Sequence, residues 1–411
     1  MENLETNKSF RSDFESAHKN AVVSGRWLDD RDSAVREGFM QATLALLAVA
    51  ESGSYVVPDT DEYGYVSIDA LVYPICFNAR HFIELFLKDS ILAASALNKK
   101  ITQTKPTPTH ELTDLWKIFD TIIARDNRLA ASGLLLKEVF LEVAEVDDTS
   151  MTFRYPYDLK GNAHLSNIIH INLGVLGRRL REVFNQADEF TYLLKELQHE
   201  YAQNTFTEKL HRENIETIAR QLPTHDKWAE DLEPIKKQIC SEFALSSNDF
   251  GKAIKLIKHH REFSALIGLE LPLDGLPADV FARLARVYAG EAAHYIITKD
   301  EWLRLEAVMA IGYSSSYSEE YDSYLKENSN RDFGDPYHFH PEDIAKRACE
   351  NDQLLRCGLL TLGQHTLLAA LAEALPHLSE PLKNMPRDIR SEKMKKLYTN
   401  MMRPNPCFKA I

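Results

Sequence analysis

Apolar residues recur at three- and four-residue spacing along most of this chain, a pattern that predicts α-helices. In the first half, the pattern extends over helix-like lengths at 33–50, 69–98, 110–126, 129–146 and 165–204. Two shorter stretches favour extended structure: SYVVPDTDEYGYVSI (54–68) is typical of a hairpin, and SMTFRY (150–155) of a short extended piece. We therefore predict an all-α fold with at most a short β-hairpin.

The second half continues the helical pattern after an interruption. Pro223 and the acidic stretch WAEDLEP (228–234) break the periodicity, which predicts a domain boundary near 205–224. Further helices are predicted at 232–243, 247–263, 277–290, 299–312, 341–351, 352–375 and 387–402, and a polar surface excursion at 314–343. The predicted parts are an N-terminal extension (1–32), a helical bundle (33–205) and a C-terminal helical domain (206–411).

Acidic residues outnumber basic ones. The 411 residues include 61 Asp and Glu against 48 Lys and Arg, a formal net charge of -13. The chain as a whole should therefore repel a phosphate backbone, and any contact with nucleic acid must be local. The densest local cations are Arg178, Arg179 and Arg181, for which a solvated helix face is the alternative interpretation.

Cysteine usage and hydropathy predict a cytoplasmic protein. The five cysteines are mostly far apart and form no CxxC pair, which favours a reducing compartment. No stretch reaches the roughly eighteen uninterrupted apolar residues of a membrane-spanning helix, and the N-terminus lacks the apolar region of a signal peptide. We expect no association with a membrane.

One predicted helix carries a polar stripe. Between residues 71 and 93 apolar side chains cover most of the helical wheel, which predicts a central helix. Asn78, His81, Glu84 and Lys88 nevertheless share one stripe, and Arg80 lies beside it, four residues before Glu84. The stripe is either an i,i+4 ladder at the surface or a partly buried polar cluster that lines a groove.

Three short pieces of the sequence resemble the HEPN domain family, in the family's order. They are RHFIELFLKDSILA (80–93), THELTDLW (109–116) and FRYPYD (153–158). The residues that match the family pattern are Glu84 and Lys88 in the first piece, His110 and Leu112 in the second, and Arg154, Tyr155, Pro156 and Asp158 in the third. The resemblance covers roughly residues 33–205.

The resemblance implies an all-helical bundle, commonly dimeric, in a family of metal-independent ribonucleases, toxins, phage-defence proteins and non-catalytic nucleotide-binding members. It implies RNA or a nucleotide as ligand, with neither cofactor nor metal. The expected catalytic residues are Arg80, His81, Glu84, His110 and Arg154, and the expected substrate-binding residues are Lys88, Tyr155, Asp158, Arg178, Arg179 and Arg181. Structural alternatives are open for Arg154, as a clamp on a carboxylate, and for His110, as a capping or packed residue.

The chain departs from the ribonuclease members of that family in one respect. Those members carry an Arg-x4-6-His motif, whereas this chain has such a spacing only at Arg11–His18, Arg220–His225 and Arg331–His338, none of them in the matching region. Two hypotheses follow. The chain is an RNA-directed or nucleotide-binding effector of a bacterial defence or toxin system, or it is a non-catalytic dimerisation or scaffold protein that binds a protein partner.

Two further features resemble binding sites only weakly. The helix pair at 235–263 is compatible with a helix-turn-helix that binds DNA, although acidic residues flank it. His338 and His340 are metal-ligand types, but no third ligand follows at a recognisable spacing. We therefore predict no metal site.

Overall fold

The computed structural model describes residues 15, 17–21, 31–56, 62–97, 108–291, 296–313, 316–330, 341–350 and 352–376. Within these residues it contains sixteen α-helices and one two-stranded antiparallel sheet. The predicted all-α fold with a short hairpin is confirmed. None of the described helices combines the length and the apolar character that crossing a bilayer requires.

The first half contains six helices and the hairpin. Their bounds are α1 Arg31–Ser52, β1 Ser54–Val56, β2 Tyr63–Tyr65, α2 Ile68–Ala96, α3 Leu112–Ile123, α4 Asn127–Leu134, α5 Lys137–Asp147 and α6 Leu173–Ala202. The segment predicted as one helix at 129–146 forms two helices, α4 and α5, with a turn between them. Residues 165–172, predicted to begin a helix, precede α6 as a loop.

The predicted extended piece at 150–155 is wrong, because these residues form turns. Asp147 Oδ1 accepts hydrogen bonds from the backbone N–H groups of Met151 (2.9 Å) and Thr152 (3.1 Å). Ser150 adopts a positive φ of 67°. A side-chain acceptor at the end of α5 thus bends the chain back instead of letting it extend.

The second half contains ten helices among the described residues. Their bounds are α7 Arg212–Gln221, α8 Trp228–Glu242, α9 Ser247–His259, α10 Arg261–Leu266, α11 Val280–Tyr288, α12 Lys299–Ile311, α13 Glu320–Asn328, α14 Pro341–Glu350, α15 Asp352–Thr361 and α16 His365–Ala374. A helix predicted at 387–402 lies outside the described residues.

Four predictions for the second half need correction. The segment predicted as one helix at 352–375 forms two helices, α15 and α16. The acidic stretch at 228–234 begins α8, where Glu230 and Asp231 suit the positive end of the helix dipole. The segment at 314–343 contains α13, with Tyr321 buried. The helix predicted at 247–263 divides at His260, whose Nδ1 accepts the Phe263 N–H and caps α10. The DNA-binding interpretation of α8 and α9 stays a prediction.

The chain forms two compact units. Unit 1 comprises Met1–Ile91, Lys105–Phe119 and Lys137–Phe184, and unit 2 comprises Leu92–Thr104, Asp120–Leu136 and Asn185–Ile411. Helices α2, α3 and α6 contribute residues to both units. These units do not follow the sequence domains 33–205 and 206–411, which stay a prediction.

The core of unit 1 is built around α2, as predicted. Phe82 packs edge-on against Phe184 of α6, with ring centroids 4.6 Å apart. Phe86 meets Phe140 of α5 in the same way at 5.6 Å, and Trp116 of α3 lies 6.0 Å from Phe140. These edge-to-face contacts add to the burial of large apolar area and hold α3, α5 and α6 around α2.

The described core of unit 2 includes two apolar clusters. One lies among α7–α10 and contains Ile215 and Phe263; the other lies among α11–α16 and contains Trp302. In the second cluster α12 and α15 approach closely at two glycines. A Cβ on Gly358 would lie 1.9 Å from the Val308 carbonyl oxygen, and one on Gly312 would lie 2.0 Å from that of Leu354. This helix packing therefore requires glycine at both positions.

Candidate active site

The polar stripe of α2 meets two other segments of unit 1. Arg80, Glu84 and Lys88 lie on one face of α2 at i,i+4 spacing. The segment before α3 brings His110 to this face, and the C-terminal end of α5 brings the Asp147 carbonyl group. We name the four charged or titratable side chains Arg80, Glu84, Lys88 and His110 the Glu84 cluster. Since the Glu84 side chain is only 3% exposed and Arg80 is completely buried, the stripe is a partly buried cluster and not a surface ladder.

Arg80 holds three segments together. It is completely buried, and its guanidinium donates to the Glu84 carboxylate and to the backbone carbonyls of His110, Asp147 (3.2 Å) and Asp148 (2.8 Å). The last carbonyls of a helix lack partners within the helix and attract a cation, which explains its position at the end of α5. A group enclosed in this way does not contact a ligand, so Arg80 is a positioning residue.

Glu84 is the centre of the cluster. Its carboxylate accepts hydrogen bonds from Arg80, from Lys88 Nζ at 2.8 Å and from His110 Nδ1 at 2.7 Å. Burial by itself would raise the pKa of Glu84, but the hydrogen bonds from Lys88, Arg80 and His110 outweigh it and lower the pKa to about 2. The carboxylate is therefore ionised at neutral pH.

His110 is the exposed member of the cluster. Its side chain is 69% exposed, and its Nδ1 faces the Glu84 carboxylate. A carboxylate acceptor selects the tautomer that carries the proton on Nδ1, which leaves the Nε2 lone pair free in the neutral ring. Nε2 has no partner among the described residues. The pair therefore presents a basic nitrogen to solvent, and the capping interpretation of His110 does not describe its side chain.

His81 lies at the edge of the cluster. Its Nδ1 is 3.9 Å from Glu84, and its ring packs edge-on against Phe39 (4.3 Å between centroids) and stacks with Phe77 (5.9 Å). Burial lowers the pKa of His81, while the charge of Glu84 raises it by less. His81 is therefore neutral at pH 7 and packs mainly as an aromatic ring.

Arg154 and Tyr155 do not join the Glu84 cluster. The exposed Arg154 guanidinium lies over the rings of Phe77 (5.7 Å) and Tyr155 (5.3 Å). Phe77 in turn stacks on His81 at the edge of the cluster. The clamp on a carboxylate that the sequence allowed is replaced by stacking on aromatic faces.

Three of the four remaining predicted substrate-binding residues have local partners. Asp158 Oδ1 accepts the backbone N–H groups of Lys160 and Asn162, both at 2.8 Å, and so shapes its own turn. Arg179 pairs with Glu142 (2.8 Å) and Glu138 (3.1 Å) of α5, and Arg181 pairs with Glu51 (2.8 Å) of α1. Arg178 is exposed. The three arginines thus divide among different surfaces and form no single cationic patch.

A second buried polar network lies in unit 2. Arg212 donates to Glu262 and Glu319 and lies over the rings of Phe263 (5.0 Å) and Tyr317 (4.8 Å). His260 Nε2 lies 2.9 Å from Glu319, while its Nδ1 caps α10. The charged groups of this network pair with one another, which suits a structural role.

Sequence reasoning missed several residues that shape these sites. Phe77 precedes His81 by four residues, so helical spacing was a usable signal for their stacking. The carbonyl partners of Arg80 offered no signal, because Asp147 is 67 residues away. The same holds for Arg212 and Glu319, which are 107 residues apart.

Acidification should remove the stability that Glu84 provides. Because its pKa is about 2 in the folded chain against 4.5 ordinarily, the unfolded chain takes up the proton first as the pH falls. The contribution, about 3 kcal/mol, is complete above about pH 5 and is lost progressively toward pH 2. The free-energy difference between wild type and Glu84→Gln in urea denaturation should therefore shrink between about pH 5 and about pH 3. A constant difference would contradict the lowered pKa.

Comparison of the chain with known protein families, with curated proteins and with solved structures finds no match. The resemblance to the HEPN family therefore stays a prediction that rests on its three sequence pieces. Among the described residues, no group of three or more His, Cys, Asp or Glu side chains is placed to hold a metal ion. His338 and His340 lie outside those residues.

Proposed function

We propose that this chain is an RNA-directed effector of a bacterial defence or toxin system, acts in the cytoplasm, and cleaves RNA without a metal ion. The observation that carries the proposal is the exposed His110 ring, oriented by the buried and ionised Glu84 carboxylate. A histidine held by a carboxylate in this manner is a recurrent general base. The resemblance to the HEPN family supplies RNA as the substrate class.

In this mechanism His110 Nε2 accepts the proton of a ribose 2′-hydroxyl. The 2′-oxygen then attacks the adjacent phosphorus, and the bond from phosphorus to the 5′-oxygen breaks. The leaving oxygen takes a proton from water, so the products end in a 2′,3′-cyclic phosphate and a 5′-hydroxyl. Glu84 holds the Nδ1–H tautomer and stabilises the imidazolium that forms on His110.

The cations near His110 have different roles. Lys88 Nζ lies 3.4 Å from His110 Nδ1 and is partly exposed, so it offers positive charge beside the reacting phosphate. Arg80 acts indirectly, by fixing Glu84 and the backbone of His110. The exposed Arg154 and Tyr155 present planar groups on which an unpaired base can stack. Local binding of RNA by these few side chains is compatible with the negative net charge of the chain.

Cleavage of single-stranded RNA in EDTA tests the proposal. His110→Ala should lower the rate by about 100-fold, because positioned general-base catalysis is removed. The ring is exposed, so the variant should remain folded by circular dichroism. His170→Ala, at another exposed histidine of unit 1, is the matched control and should retain full activity. Equal activity in wild type and His110→Ala, or activity abolished by EDTA, would refute the mechanism.

A non-catalytic role in dimerisation or partner binding is the second candidate. Its support is the exposure of apolar side chains between α5 and α6, where Leu159 is 97% and Ile169 is 86% exposed. Contiguous exposed apolar surface marks interaction sites, and in this segment Ile168 and Ile169 are exposed at adjacent positions of the chain. Absence of cleavage by the wild type across RNA substrates would favour this candidate.

A further inference from the structure

A cavity of about 190 Å³ lies in unit 1, and no residue of the Glu84 cluster lines it. Its walls come from α2, α5, α6 and the segment between α5 and α6. The lining is almost entirely apolar and includes Cys76, Val143 and Phe153. Arg179 and Glu142 are the charged residues of its lining. The apolar part of a ligand would therefore contact the walls, and a polar group of the ligand would lie beside Arg179.

The size of the cavity limits its occupant. An apolar cavity of about 150 Å³ is large enough to bind benzene. The cavity in unit 1 is somewhat larger. It thus suits a molecule of the size of benzene that carries one small polar group.

The polar end of the cavity has an unused donor. Arg179 Nη2 pairs with Glu142 and Glu138, but Arg179 Nε is buried and has no acceptor among the described residues. A buried N–H group without an acceptor is unfavourable, and a carbonyl oxygen in the cavity would satisfy it. The neighbouring Glu142 carboxylate can accept a hydrogen bond from the same ligand.

The charge around this end selects against anions. Two glutamates surround one arginine, so the local balance is negative, and an anionic ligand would have to compete with Glu138 and Glu142 for Arg179. A neutral carboxamide is complementary, because its oxygen accepts from Arg179 Nε and its NH₂ group donates to Glu142.

Cys76 belongs to the apolar wall. Burial, and to a smaller extent the charge of Asp147, raises the pKa of the Cys76 thiol to about 12. The thiolate is therefore absent at neutral pH, and the side chain behaves as a small apolar group. The Cys76 side chain therefore offers apolar contact and not a nucleophile to a ligand in the cavity.

We propose that this cavity is a binding site for a small neutral molecule with an aromatic or aliphatic body and a carboxamide-like end. The apolar walls hold the body, and Arg179 with Glu142 orients the polar end. The proposal is independent of the RNA-directed function, since it involves neither His110 nor Glu84.

Three probes of nearly equal shape test it by isothermal titration with the full chain: benzamide, benzoate and ethylbenzene. Benzamide should bind most tightly. Arg179→Met should weaken benzamide about 10-fold and leave ethylbenzene unchanged, because only the polar contact is lost. The matched control Arg178→Met, at the neighbouring exposed arginine, should bind benzamide like the wild type.

Filling the cavity supplies a second readout. Val143→Phe and, from another wall, Leu176→Phe should each weaken both benzamide and ethylbenzene by about 10-fold or more, with thermal melting used to select the folded variant. The proposal is overturned if benzamide does not bind at millimolar concentration. It is equally overturned if benzoate binds more tightly than benzamide, or if a folded cavity-filling variant binds as well as the wild type.

Discussion

Replacing Arg80 with methionine should lower the free energy of unfolding by about 3–5 kcal/mol, the range seen when one partner of a buried ion pair is removed. The substitution keeps most of the apolar volume but leaves the Glu84 carboxylate without its buried counter-ion. It also removes the guanidinium donor from the carbonyls of Asp147 and Asp148, although the Asp148 carbonyl keeps the Leu112 N–H at 3.3 Å. Urea denaturation measures the loss, and Arg178→Met, at an exposed arginine, is the control with an expected change near zero.

A double variant separates the two causes. Arg80→Met combined with Glu84→Met replaces the buried pair by apolar groups and should recover part of the lost stability. Recovery should remain incomplete, because the Asp147 carbonyl at the end of α5 still lacks the guanidinium donor. A loss below about 1 kcal/mol in Arg80→Met would show that water replaces the guanidinium and that Arg80 does not hold the three segments together.

Arg212→Met in unit 2 should cause a loss of similar size, about 3–5 kcal/mol. The side chain is almost fully buried between Glu262 and Glu319, and its removal leaves both carboxylates in the protein interior. Burial by itself would raise the pKa of Glu319, but the hydrogen bond from His260 and the charge of Arg212 hold it well below the ordinary value. Without Arg212, its charge no longer offsets the burial of the Glu319 carboxylate.

Hydrogen exchange can show which helices lose stability in Arg212→Met. The amides of α7 and α10 should exchange faster in Arg212→Met, because Arg212 begins α7 and Glu262 lies in the first turn of α10. Arg220→Met, at the exposed C-terminal end of the same helix, is the matched control and should change stability by less than about 0.5 kcal/mol. Unchanged protection of both helices in Arg212→Met would contradict a structural role for the network.

Local patterns accounted for much of the first half of the fold. The 3.6-residue periodicity located α1, α2 and α3 to within a few residues, and the turn residues located the hairpin. Two of the errors arose where a single side chain overrides the pattern. Asp147 bends the segment after α5, and His260 divides a predicted helix by capping α10. Sequence periodicity carries no information about such acceptors.

In the candidate site, too, the sequence pattern predicted positions along a helix but not contacts between distant segments. Positions along one helix were enough to show that α2 is central and that Arg80, Glu84 and Lys88 share a face. Only the folded chain shows that Glu84 is buried and that His110 approaches it. The folded chain also shows that Arg154 stacks on Phe77 and does not join the Glu84 cluster. These contacts join residues far apart in the chain, and packing selects them, since a buried charge persists only where distant segments supply its partners.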